Sequence, residues 1–270
     1  MGNICIIGPR ASGKTTYLAG LSYLPQLPRW SNEYEIQPLN DDTRKLIDMA
    51  EDIILQGLSL ESTGNFVHTV DDLLYYSFNI HIKRKLLSRA ATTFRLNVRD
   101  YPGEVFENIL SASAYDTNQE EFIEECFNDV QGCLLLFTEW ESGSDSIYSR
   151  LMNRFLDIMD ERPHVKSYRI AVAMSKCERG EIWPGRLDPE TDLFGVHLKR
   201  TMQTMKKRLP KENLRFFAIS TFGVLDSYDP RPNRVDEAGT QGRNSTLRDP
   251  PSWQPYNLIE PLYWLNTGQG

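Results

Sequence analysis

The chain has 270 residues, enough for one large α/β domain with ample core or for two small ones. Hydrophobic residues make up 40%, an ordinary globular balance, and the net charge of −7 counts against bulk binding to nucleic acid or to an anionic membrane. No window reaches the roughly 18 apolar residues of a membrane span, and no signal-peptide pattern opens the chain, so a cytoplasmic protein without an integral membrane segment is expected.

Asn3–Ile7 reads as a first strand, and Thr15 to Leu24 as a first helix closed by Pro25 and Pro28. Residues 29–40 read as irregular. Asp41-Asp42-Thr43 marks a helix start, with Leu46, Met49, Ile53 and Ile54 at helical spacing up to Gly57. Tyr75–Lys83 and Thr92–Arg99 alternate like strands with one wet face and read as an antiparallel hairpin. A helix is expected from the Asp100-Tyr101-Pro102-Gly103 turn through Phe127. Gly132–Thr138 and Arg169–Met174 are continuous apolar runs, as buried parallel strands require. Helices are expected over Ser146–Glu161 and Glu190–Leu209, and a last strand over Leu214–Ser220. Residues 226–255 are rich in Pro, Asp, Arg, Gly and Asn and read as a long mobile loop. Residues 256–266 return as a C-terminal helix. Strands alternating with helices predict one doubly wound, mostly parallel sheet with an antiparallel edge strand. Cys5, Cys126, Cys133 and Cys177 show no pairing or metal spacing and read as reduced core thiols.

Four constellations carry chemistry. Residues 8–15, Gly8-Pro9-Arg10-Ala11-Ser12-Gly13-Lys14-Thr15, form a complete G-x-x-x-x-G-K-[ST] phosphate loop between strand and helix. Its backbone N–H groups and the helix dipole attract phosphates, Lys14 reaches the β- and γ-phosphate oxygens, and the Thr15 hydroxyl, followed by Thr16, suits Mg²⁺. The second is Asp100-x-x-Gly103, at a strand end. Asp100 can hold Mg²⁺ through a water, and the Gly103 amide can sense the γ-phosphate. The third is Ser175-Lys176-Cys177-Glu178. A carboxylate there accepts the adjacent N1–H and N2–H₂ donors of guanine and repels the N1 acceptor of adenine, while the Lys176 stem lies over the base. The fourth, Ala218-Ile219-Ser220-Thr221, would offer a backbone N–H, that of Thr221, to guanine O6.

In order and spacing these motifs resemble the Ras-like, TRAFAC class of P-loop GTPases over nearly the whole chain. The opening Ile-Ile-Gly-Pro-Arg-Ala-Ser-Gly-Lys-Thr-Thr-Tyr-Leu (residues 6–18), the helical insert before the switch region and the ending Pro255-Tyr-Asn-Leu-Ile-Glu-Pro-Leu-Tyr-Trp-Leu265 look more like bacterial double-GTPase-like domains. The resemblance implies a single G domain over residues 1–270, with a helical insertion and switch I region at 29–72. It implies Mg²⁺ and GTP or GDP as ligands, slow hydrolysis, and a switch read by a protein partner, an effector or an activating protein. It also implies a switch I threonine on the metal: Thr63 is the choice, Thr69 the runner-up, and either also fits a plain turn. Arg10 would touch phosphates in cis or face solvent.

Three positions depart from the class. Its base-reading motif is Asn-Lys-x-Asp, whereas Ser175 is too short for all of the asparagine's contacts and Glu178 is one methylene longer than Asp. Glu104 stands where Ras-like proteins carry a water-orienting glutamine, so turnover below the Ras-like scale of about 10⁻⁴ per second is expected. Two other readings stay open: an ATP-dependent phosphotransferase with a lid made of Arg231, Arg234, Arg243 and Arg248, and a non-hydrolysing nucleotide-binding module. Tyr75, Tyr76 and Phe78 read as sheet packing, and Tyr256, Tyr263 and Trp264 as the anchor of the last helix; exposure of Tyr263 and Trp264 would instead mark a partner surface.

Overall fold

A computed structural model describes residues 3–9, 11–28, 30–58, 73–83, 91–100, 103–108, 117–127, 130–138, 143–161, 167–237 and 245–269. Arg10, Thr63, Thr69, Tyr101, Pro102 and Arg243 lie outside them. Strands β1 (Asn3–Ile7), β5 (Val130–Phe137), β6 (Arg169–Met174) and β7 (Leu214–Ala218) form a parallel sheet in the order β1-β5-β6-β7. Strands β2 (Tyr34–Pro38), β3 (Tyr75–Ile82) and β4 (Thr92–Arg99) form a separate antiparallel sheet. The β3–β4 pairing runs from Tyr75 opposite Arg99 to Ile82 opposite Thr92, as the alternation predicts.

The expectation of one mostly parallel sheet with a single antiparallel edge strand is therefore corrected to two sheets. β4 lies alongside β1, but among the described residues no ladder joins them. A cavity of about 190 Å³ opens there, lined by Asn3, Cys5, Asn97 and Arg99 among others. β2 is an addition to the expected elements, lying where the chain reads as irregular.

The parallel strands are buried on both faces, and the period of two divides their side chains between two cores. Ile4, Ile6, Leu134, Leu136, Ala171, Ala173 and Phe217 point to one face. There they meet α1 (Lys14–Tyr23), α2 (Asp41–Glu51, continued by a π turn, Asp52–Gln56) and, at the far end of the chain, α8 (Glu260–Thr267). Ile7, Cys133, Leu135, Phe137, Ile170, Val172, Met174 and Phe216 point to the other. That face is covered by α4 (Thr117–Phe127), α5 (Ser144–Asp160) and α7 (Lys199–Arg208), while α3 (Gly103–Asn108) adds Phe106. All four cysteines are free.

Three helices differ from their expected spans. The one expected through Phe127 is seen as α3 and α4, with residues 109–116 outside the described ones. The one expected over Glu190–Leu209 is a π turn (Pro189–Phe194), a single turn α6 (Gly195–His197) and then α7, with a break at Leu198. The break has a tertiary cause. Asp145 of α5 accepts from the backbone of Arg200 and Thr201, at 2.9 Å each, and so caps α7 from a distant helix. The third is the C-terminal helix, which starts at Glu260 rather than at residue 256.

Residues 226–255, expected as a mobile loop, are packed where they are described. Asn233, Arg234, Leu247 and Trp253 are buried, and β8 (Val235–Asp236) pairs with β9 (Ser245–Thr246). Tyr263 and Trp264 are buried in the α8 anchor, so they form no exposed partner surface.

Candidate functional site

The site gathers where β1, β4, β5, β6 and β7 end. Strand β1 stops at Ile7, the loop turns back on itself, and the Ser12 amide donates to the Pro9 carbonyl at 3.2 Å. Gly13 then adopts φ +86°, a left-handed geometry that a Cβ disfavours, and α1 begins at Lys14. Gly8 is required for a different reason. A Cβ there would lie 2.6 Å from Ser12 Oγ and 2.7 Å from the Leu136 carbonyl of β5. The glycine thus lets the loop close against the sheet.

Of the three described non-glycine residues with positive φ, Ala11 at 58° and Lys176 at 57° flank this turn. Strained backbone of this kind concentrates at functional positions. Left-handed residues alternating with ordinary ones are also the pattern by which successive N–H groups converge on an anion. The first turn of α1 contains Lys14, Thr15 and Thr16, has no acidic residue, and receives no side-chain cap. The N–H groups of such a helix start have no intrahelical acceptor and face an anion placed before them. Ser12 Oγ is buried in the loop with no hydrogen-bond partner among the described residues.

Lys14 Nζ donates to the Gly8 carbonyl at 3.1 Å, folded back over its own loop. Across 85 residues of chain, the Thr15 hydroxyl donates to Asp100 Oδ2 at 3.3 Å. Burial pushes the Asp100 carboxyl above its ordinary range, opposed by the Lys14 charge and the Thr15 hydrogen bond. These two hard oxygen donors suit Mg²⁺, an ion that takes one or two protein ligands and fills its shell with water and phosphate. A divalent charge there would offset the burial of Asp100. Among the described residues no cluster of three metal-ligating side chains exists. Gly103 opens α3 and is buried, and Glu104 follows it in the helix.

The third constellation braces the first. Ser175, at the end of β6, donates from Oγ to the Ser12 carbonyl at 2.8 Å, with the Phe137 carbonyl also within reach at 3.1 Å. The short serine thus makes the contact to the phosphate loop. Lys176 lays its stem over the loop, with Cε 3.7 Å from where a Gly13 Cβ would stand. Its pKa is lowered to about 8 by burial, then by the nearby Arg234 and Arg179 charges.

Glu178, expected to read a base, is 1% exposed and engaged inside the protein. Its Oε2 accepts from Ser220 Oγ at 2.6 Å, and its Oε1 faces Arg234 Nη1 at 3.4 Å. Ser220 is equally committed. Its amide donates to the Tyr256 carbonyl at 3.0 Å, and its Oγ accepts from the Gly223 amide at 2.7 Å. At Thr221 the carbonyl accepts from the Trp253 indole at 2.7 Å, and the side chain lies against Gly20 of α1. The arrangement thus suits an anion at the loop and a hard cation at Thr15 and Asp100, beside a Glu178 carboxylate that is closed.

Arg234, named in the sequence only as part of a lid, is instead the buried partner of Glu178. Its one local signal is the Arg234–Asp236 spacing, which places two opposite charges on one side of an extended segment.

No protein-family model matches the chain, and no curated protein matches it. Among solved structures it is similar to a chain of the signal recognition particle receptor SRb-GTP/SRX complex from Chaetomium thermophilum. The identity is 13%, the TM-score 0.36, and the match covers 82% of this chain and 94% of that one. So loose a likeness carries no functional weight. Among the described residues no helix is long and apolar enough to cross a membrane.

Proposed function

We propose that this chain is a Ras-like G domain, a Mg²⁺-dependent guanine-nucleotide switch with slow GTP hydrolysis that acts on a protein partner. The observation that carries the reading is the meeting of Lys14, Thr15 and Asp100 at the mouth of the glycine loop. Two sequence motifs, far apart in the chain, supply one polyphosphate and one metal position. In this reading the loop amides and Lys14 bind the β- and γ-phosphates, and Lys14 exchanges its Gly8 carbonyl for phosphate oxygens. Pro9, Arg10, Ala11, Ser12, Gly13 and Thr16 complete the cradle.

Thr15 and Asp100 would hold Mg²⁺, joined by Thr63, and the bound ion would spread the charge of the transferring phosphoryl group. Hydrolysis is attack by water on the γ-phosphorus, with Lys14 and the loop amides stabilising the charge that develops. Gly103 senses the γ-phosphate. Glu104 in the water-orienting position keeps turnover slow, because a carboxylate is repelled from the γ-phosphate.

Two of the four arginines in the phosphotransferase reading are engaged within the protein. Arg231 pairs with Asp229, and Arg234 with Glu178 and Asp236. The test is calorimetric titration with GDP, GTP, ADP and ATP in Mg²⁺. Guanine nucleotides are expected to bind more tightly than adenine nucleotides. Lys14→Ala is expected to weaken GDP binding at least about a hundredfold, the equivalent of losing ~3 kcal/mol of charge-assisted contact. Unchanged GDP affinity in that variant would remove the loop from the site.

A further inference from the structure

The pair formed by Glu178 and Arg234 needs an explanation that packing alone does not supply. A buried ion pair adds little net stability over an apolar pair of the same shape. Here it sits where a base-reading acceptor belongs. Arg234 is held on three sides. Its Nη1 faces Glu178 at 3.4 Å, its Nε pairs with Asp236, and its guanidinium carbon lies 5.4 Å from the centre of the Phe222 ring. Asp236 also takes Arg179 at 3.0 Å and the Ser245 hydroxyl at 2.8 Å. Just before Arg234, Asn233 is buried and locked to the backbone of Asp249 by reciprocal bonds of 2.9 and 2.7 Å.

A guanidinium edge and the N1–H/N2–H₂ edge of guanine are chemically alike. Each offers N–H donors side by side, and each seeks a carboxylate. Glu178, at 1% exposure, has no open face for a second such edge while Arg234 is in place.

Building on the guanine-nucleotide reading, we infer that Arg234 is an internal competitor for the base: guanine engages Glu178 only by displacing the Arg234 guanidinium. The displaced side chain is not left uncompensated. Asp236 is 42% exposed at its side chain and bridges outward to Arg179 at 32%, so Arg234 can leave with Asp236 toward solvent. Because Arg234 immediately precedes β8, base occupancy is thereby transmitted to the β8–β9 pair and the segment around it. The nucleotide-bound and nucleotide-free proteins then present different surfaces at residues 233–237, a second reporting element beside the one that senses the γ-phosphate.

The test uses the wild-type chain and the arginine reagent phenylglyoxal, with modification of Arg234 read by peptide mass spectrometry. Three states are compared: protein alone, protein with saturating pyrophosphate and Mg²⁺, and protein with saturating GDP and Mg²⁺. Binding is measured in parallel by calorimetry. Arg234 is expected to be protected in the first two states and labelled at least about tenfold faster with GDP. GDP that binds while Arg234 stays protected overturns the competitor and leaves the nucleotide reading intact. Failure of both pyrophosphate and GDP to bind overturns the nucleotide reading, and the competitor with it. Arg234→Met provides a second readout. It is expected to raise GDP affinity about tenfold relative to pyrophosphate affinity, and a loss of GDP affinity in the folded variant overturns the inference. Should the variant not fold, the wild-type labelling decides alone.

Discussion

Ser175→Ala tests whether the base-side turn braces the phosphate loop. Ser175 is 5% exposed, and its one hydroxyl proton goes to the Ser12 carbonyl at 2.8 Å, the shorter of its two options. Ser12 is itself buried, so its carbonyl would lose a partner with no open path to water. Losing such a bond and stranding the acceptor costs about 1–3 kcal/mol. The methyl that remains fills nearly the same volume, so no cavity term adds to it. Urea denaturation should show a lower midpoint, shifted by that free energy divided by the slope, with the slope itself unchanged. The same variant should bind GDP several-fold more weakly, because part of the cost becomes loop disorder that the ligand must reverse. Ser175→Thr, which keeps the hydroxyl, should recover most of the stability. Wild-type stability and affinity in the alanine variant would refute the bracing role and reduce Ser175 to a strand-end residue.

The remaining predictions separate causes that look alike in the sequence. Gly13→Ala should cost about 1–2 kcal/mol, because its strain is conformational and the nearest atom is at an ordinary 3.7 Å. Gly8→Ala should cost about 3 kcal/mol, because its Cβ meets the Leu136 backbone at 2.7 Å, and equal thermal shifts for the two variants would contradict this division. Lys176 should titrate near pH 8, measurable by the pH dependence of its acylation rate. Its folded pKa lies below the ordinary 10.5, so the unfolded chain holds more protons between those values. Its contribution therefore makes stability rise with pH through that window, and an ordinary lysine titration would refute the burial argument.

The parts of the fold that were legible are those whose cause is local. Apolar runs marked β5 and β6, strict alternation marked β3 and β4, and the glycine loop declared itself by residue type at fixed offsets. What escaped has distant causes. β2 (Tyr34–Pro38) carries Glu35, Gln37 and Pro38, and it is tolerated as an edge because it pairs with β3 alone. The break before α7 is set by Asp145, some 55 residues away. The stretch at 226–255 has the composition of an open loop, yet Arg234 is buried because Glu178 and Asp236 neutralise it there. Composition registers the charge but not the partner. At the site, the pairing of Thr15 with Asp100 could be anticipated from two motifs. The closure of Glu178 could not, because one of its two partners, Arg234, belongs to none of the four motifs.

The two halves of the site are therefore unequal, and the inequality has a thermodynamic consequence. At the phosphate end the helix start has no acidic residue in its first turn, and Lys14 donates to a loop carbonyl that phosphate oxygens can replace. At the base end Glu178, Ser220 and Arg234 satisfy one another. An anion exchanges a neutral carbonyl at Lys14 for charged oxygens, whereas a base must first break a carboxylate–guanidinium pair. On this reading the guanine ring adds less to affinity than it would in a pocket built open, and the difference is the free energy of releasing Arg234. The ratio of pyrophosphate to GDP dissociation constants, measured in wild type and in Arg234→Met, isolates that quantity, since the phosphate contribution cancels between the two proteins. A ratio that does not change on removing Arg234 would mean the base never competes with it, and Glu178 would then be structural rather than a reader of guanine.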